Sequence, residues 1–188
     1  MVAAAYAFSA GVFFSFLQFS YFFVLESQLS SAALTYFATT CAWLAGACVG
    51  LSVKRRRALW VENAMTLGSA SAFLVLSWWI RKNPFIDSYL GAYLALVGFS
   101  GTHAGYFFAS NPDRMRSARN LFLWENNGFI LGLALSFLSV TMVGKSALGA
   151  GVMAMCLAVS GLQSYLWKKE EADRREFDPI LGKFIVKT

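Results

Sequence analysis

Three side chains that can ionise sit inside stretches otherwise built for oil: Glu62, His103 and Glu125, with Asn63, Asn126 and Asn127 beside them. Burying a charge in hydrocarbon is costly, so such groups mark function unless something neutralises them. Glu62 lies five residues past Arg57, and Glu125 about as far past the start of its own hydrophobic stretch. His103 falls about seven residues before the end of another. At about 1.5 Å of rise per residue, all three lie roughly 7–11 Å in from one surface. Glu62, Asn63, His103, Glu125 and Asn126 therefore form one expected polar cluster. Two chemistries suit it. One is a proton or cation site; the other is a polar staple joining three helices, with Arg55, Arg56 and Arg57 as counter-ions. Interhelical polar pairs are ordinary glue, which favours the staple.

Other chemistry is not signalled. A single histidine excludes bis-histidine haem ligation by this chain alone, and no CxxC, CxxCH or HxxxH occurs. There is no glycine-rich phosphate loop and no nucleophile elbow. The reading is of a chain that is not an enzyme and holds no cofactor or metal. Cys41 and Cys48 lie seven residues apart on one helix, too far to form a disulfide.

The elements that position these groups are hydrophobic spans. Of 188 residues, 57% are hydrophobic and 14% charged, where a soluble domain carries about a quarter charged. Mean hydropathy is +0.54. About 20 apolar residues cross a bilayer core, and six such runs appear, at about 3–24, 32–53, 58–80, 89–110, 121–143 and 147–167. The first is crowded with aromatics and, with no basic residue ahead of it, does not read as a cleaved signal. All three prolines lie outside the runs. The expected class is an all-α integral membrane bundle over residues 1–167, followed by a charged inner-side tail at 168–188. The tail starts as an extension of the sixth helix.

The net charge of +6 reflects short clusters beside these runs, which read as topology and lipid-headgroup signals rather than a nucleic-acid footprint. With both termini inside, inner segments carry Lys54, Arg55, Arg56 and Arg57, then Arg114, Arg116 and Arg119, then six tail cations. That is thirteen, against three outside: Arg81, Lys82 and Lys145. Positive residues stay inside. The membrane expected is a bacterial inner or an organellar inner membrane. Small residues recur at close-packing spacings: Gly46 and Gly50; Gly91, Gly98 and Gly105; Gly128, Gly132 and Ser136; Gly151, Ala154, Ala158 and Gly161.

The stretch from Gly46 to Trp60 (GACVGLSVKRRRALW) resembles the loop between helices 2 and 3 of the major facilitator superfamily, which reads Gly-x-x-x-Asp-Arg-x-Gly-Arg-Arg. Gly50 and Arg55 match; Lys54 replaces the Asp and Arg57 the second Gly. The likeness continues through SGTHAGYFF (helix 4), PDRMRSAR (the basic loop after it) and NGFILGLALS (helix 5). The membrane domains of spermidine-synthase-like proteins are similar, with a Glu near the end of helix 1 that Glu26 matches. The resemblance implies half a facilitator fold, without a second half or a soluble catalytic domain. The lost loop Asp removes the gating carboxylate. Two functions follow. One is a non-catalytic subunit of a larger respiratory, photosynthetic or other membrane complex, with lipid and other membrane subunits as partners. The other is a secondary transporter acting as a dimer of six-helix halves, for which Gln18 and His103 are the nearest midplane polar groups. The unpaired face is expected on the aromatic first span and the Gly91, Gly98, Gly105 row.

Overall fold

The computed structural model describes residues 2–26, 32–53, 58–83, 87–115 and 117–176. They form six α-helices: α1 (Val2–Glu26), α2 (Ala32–Ser52), α3 (Leu59–Lys82), α4 (Leu90–Ser110), α5 (Ala118–Met142) and α6 (Ala147–Glu176). Two short 3-10 turns flank α4, at Asp87–Tyr89 and Pro112–Met115. No strand occurs among the described residues. Five helices are long and apolar enough to cross a membrane. α4 falls short of that threshold, since Ser100, Thr102, His103 and four glycines dilute its apolar content. The basic turn Lys54 to Arg57, Arg116 and the strip beyond 176 lie outside the described residues.

Helix ends have local causes. Ser117 caps α5 by accepting the Asn120 amide at 3.2 Å, satisfying one of the orphan donors of its first turn. At the other end Gly144 adopts φ +90°, a left-handed conformation that suits glycine, and its amide returns to Ser139 and Val140. α6 does not stop at Trp167 but continues to Glu176, so no break separates bundle from tail there.

Neighbouring contacts give the helix directions. Phe8 lies against Gly128 and Val12 against Gly132, so α1 and α5 are parallel. Ala42 and Ala47 lie against Gly98 and Gly105, so α2 and α4 are parallel too. Tyr6 and Phe14 meet Phe107, while Tyr21 reaches Leu96 and Ser100, so α1 and α4 oppose each other. α1, α3 and α5 therefore run one way, and α2, α4 and α6 the other. The start of α1 and the end of α6 share one end of the bundle.

The pairings also repeat. The closest are α1 with α5 and α2 with α4, followed by α1 with α6, α3 with α4 and α3 with α6. Exchanging α1 with α4, α2 with α5 and α3 with α6 turns each of these into another, or into itself. Both dominant seams rest on glycine. A Cβ on Gly46, Gly50, Gly101 or Gly105 would strike backbone across the α2–α4 seam, and one on Gly11, Gly128 or Gly132 would do so across α1–α5. In lipid, such close approach and its dispersion contacts supply the packing drive.

α1 is the central helix. Of its apolar stretch 72% is buried, against 28% in α2, α5 and α6. Phe13, Phe14, Phe16, Leu17 and Tyr21 are sealed in the core, where Tyr21 meets Phe73 edge-on with ring centroids 5.3 Å apart. The aromatic first span is thus a core rather than an unpaired face. The glycine row divides: Gly98 and Gly105 are used inside against α2, while Gly91 has open space around it. On α6, Gly151 packs on Phe16, but Ala154, Ala158 and Gly161 are exposed.

Candidate functional site

At the end shared by the start of α1 and the end of α6, a buried guanidinium ties three elements together. The turn after α4 is held by Asn111, whose carbonyl accepts the Arg114 amide at 3.2 Å. Arg114 then points inward. Its Nη1 donates to Glu62 Oε2 at 3.0 Å and to Asn111 Oδ1 at 2.7 Å. Its Nε and Nη2 donate to the two carboxylate oxygens of Glu170 at 2.8 and 3.4 Å, the side-on fork that a planar guanidinium favours. The Tyr6 ring on α1 lies 5.8 Å from the guanidinium carbon. Burial alone would lower the pKa of Arg114, but Glu62 and Glu170 outweigh it and the net shift is upward. From α6, Gln163 Nε2 donates to Glu62 Oε2 at 2.6 Å.

Deeper in the bundle the polar seam continues along α3. Thr66 and Ser69 follow Glu62 at the spacing of one helix face. The Thr66 hydroxyl donates to the Glu62 carbonyl at 3.0 Å and lies 3.3 Å from His103 Nε2, while Ser69 Oγ lies 3.2 Å from Nδ1. With the Thr66 proton already committed, the arrangement assigns the imidazole hydrogen to Nε2, leaving Nδ1 to accept from Ser69. Phe14 packs edge-on against the imidazole at 5.0 Å, and Phe13 lies 6.0 Å away. Further along, Tyr21 Oη and Ser100 Oγ are 2.9 Å apart.

The expected cluster is thereby partly assembled and partly dispersed. Glu62 and His103 lie on one continuous seam, linked through Thr66. Asn63 keeps a buried Oδ1 with no partner among the described residues. Glu125 is buried on the α5 face that meets α1 and bonds neither His103 nor any other described residue; the arginines of the 54–57 turn, its other expected partners, lie outside the described residues. Asn126 and Asn127 are exposed on the outer side of α5, because the glycine seam turns Gly128 and Gly132 inward and sends both amides outward. The counter-ion to Glu62 among the described residues is Arg114, which the charge count alone reads as a topology signal. The sequence signal for Gln163 and Glu170 is their seven-residue spacing on one face of α6, which matches the Glu62, Thr66, Ser69 stripe on α3. Among the described residues, no three metal-ligating side chains gather.

A cavity of about 470 Å³ opens at the opposite end, between α3 and α6, lined in part by Phe73, Trp78, Arg81 and Lys145. It is separate from the Arg114 network by the length of the bundle.

Fold and site define an all-α integral membrane protein whose apolar helices suit a lipid bilayer. No family model matches the chain, and neither a curated protein nor a solved structure matches it.

Proposed function

We propose that this chain is a non-catalytic integral-membrane subunit of a larger membrane assembly. It crosses the bilayer six times as half of a facilitator-type fold, with the start of α1 and the end of α6 both on the inner side. The observation that carries the reading is the sealed centre. The interior between α1, α3, α4 and α6 is filled by aromatic rings, and Tyr21 with Ser100, His103 with Thr66 and Ser69, and Arg114 with Glu62 bond across it. The internal exchange of α1–α3 with α4–α6, whose helices run in opposite senses, supports the facilitator half, since such halves contain inverted three-helix repeats. The segregation of cations supports the orientation: Arg114, Arg119, Lys168 and Lys169 flank one end, and Arg81, Lys82 and Lys145 the other.

α2 and α5 correspond under that exchange, and both leave most of their surface uncovered, including Phe37, Leu44 and Val49 on α2 and Ile130 and Leu138 on α5. These are the faces on which other subunits would pack. Extraction in mild detergent, followed by native mass spectrometry, should find the chain inside a heteromeric particle. A purified chain that forms a stable homodimer and moves a solute across liposomes would replace this reading with the transporter one.

A further inference from the structure

Two sealed oxygens on the α3–α6 seam lack a hydrogen-bond donor among the described residues: Glu62 Oε1 and Gln163 Oε1. Their side chains are 3% and 0% exposed. Both belong to groups already joined by the 2.6 Å bond from Gln163 Nε2 to Glu62 Oε2. A buried acceptor left unmade has lost its water without gaining a partner, so the seam favours a guest that supplies one. Flipping the amide gives no relief, because it would set the Gln163 oxygen against Glu62 Oε2 and orphan the NH₂ group instead.

The neighbouring groups are already engaged. Arg114 bonds both Glu62 and Glu170. The other titratable groups around Glu62 are Tyr6 from α1, Tyr106 from α4 and, about one turn deeper, His103 from α4 and Cys156 from α6. The two imidazole nitrogens are committed to Thr66 and Ser69, and the Cys156 thiol to the Thr66 carbonyl at 3.8 Å. Among the described residues the seam thus holds two unfilled acceptors.

We propose that Glu62 and Gln163 form a binding site for one monovalent cation, a proton or a sodium ion, between α3 and α6. A proton arriving from water at the Glu170 end forms an O–H bond at Glu62 Oε1. That hydroxyl donates to Gln163 Oε1 and, with the existing amide bond, closes a carboxylic acid–amide ring. A sodium ion would take the same two oxygens as ligands. Either guest satisfies both acceptors. Occupancy also weakens the hold of Glu62 on Arg114, leaving Glu170 as its principal counter-ion.

The full chain in lipid nanodiscs provides the test, by infrared difference spectra across a pH titration and by thermal unfolding in NaCl or choline chloride at equal ionic strength. Proton binding gives a protonated-carboxyl band that is lost in Glu62→Gln and displaced in Gln163→Met, a variant that keeps every charge. Sodium binding raises the unfolding midpoint in NaCl alone, and both variants abolish the rise. Wild-type protein showing neither signal overturns the proposal without reference to any variant. So does a band or a sodium effect that either folded variant leaves unchanged. If Gln163→Met does not fold, Gln163→Asn supplies the same comparison with a shortened amide.

Discussion

Arg114 Nη1 lies 3.0 Å from Glu62 Oε2, joining the turn after α4 to the first turn of α3 across 52 residues of chain. Both side chains are only 3% exposed. The pair does not stand alone, because Glu170 occupies the other edge of the guanidinium and Gln163 the carboxylate. The end of α6 is thereby tied to the turn between α4 and α5, and to α3.

Removing both members of the Arg114–Glu62 pair should cost less than the two separate removals added together. Arg114→Met leaves Glu62 buried beside Gln163 with its main counter-ion gone, and should cost about 3–5 kcal/mol. The double variant Arg114→Met with Glu62→Gln should cost clearly less than the sum of the two singles, because contacting residues couple. Chemical unfolding in detergent micelles checks both. Additive losses would mean that the two residues do not act as a pair.

The glycines should sort by seam, not by type. Gly128→Ala and Gly105→Ala would place a Cβ against the backbone of Phe8 and Ala47, forcing parallel helices apart, and should reduce the yield of folded protein sharply. Gly161→Ala meets nothing within 4 Å and should be neutral or stabilising by about 0.5–1 kcal/mol, the usual helix gain of Ala over Gly. Fluorescence-detected gel filtration of the three variants side by side gives the ranking. Equal behaviour would refute the close-approach account of the two seams.

Labelling should resolve which end faces inward. Ser88 and Ser117 are exposed at opposite ends of α4. In a background lacking Cys41, Cys48 and Cys156, an impermeant thiol reagent added outside should reach Ser88→Cys and not Ser117→Cys. The second variant also loses the α5 cap, at about 1 kcal/mol, so its folding is checked by labelling after permeabilisation. Reversed labelling would invert the orientation proposed for the bundle.

The spans themselves were legible in the chain because they are local. Runs of about 20 apolar residues, cations between them and prolines kept outside them place six helices within a few residues of where they stand, since helix length and bilayer thickness constrain each run separately. Glu62 and His103 were legible as candidates for the same reason: a polar residue in an apolar run is visible without neighbours. Helix rotation and non-consecutive pairing were not legible. That α1 lies parallel to α5, and α2 to α4, depends on backbone approach between glycines more than 50 residues apart. This choice sends Asn126 outward, sets Glu125 against α1 rather than His103, and makes the aromatic first span a core. Arg114 shows the difference most plainly. Its sequence neighbours mark it as one more loop cation, and only the meeting of α3, α6 and the turn after α4 makes it the buried counter-ion of Glu62, because an ion pair is a property of two places and not of one.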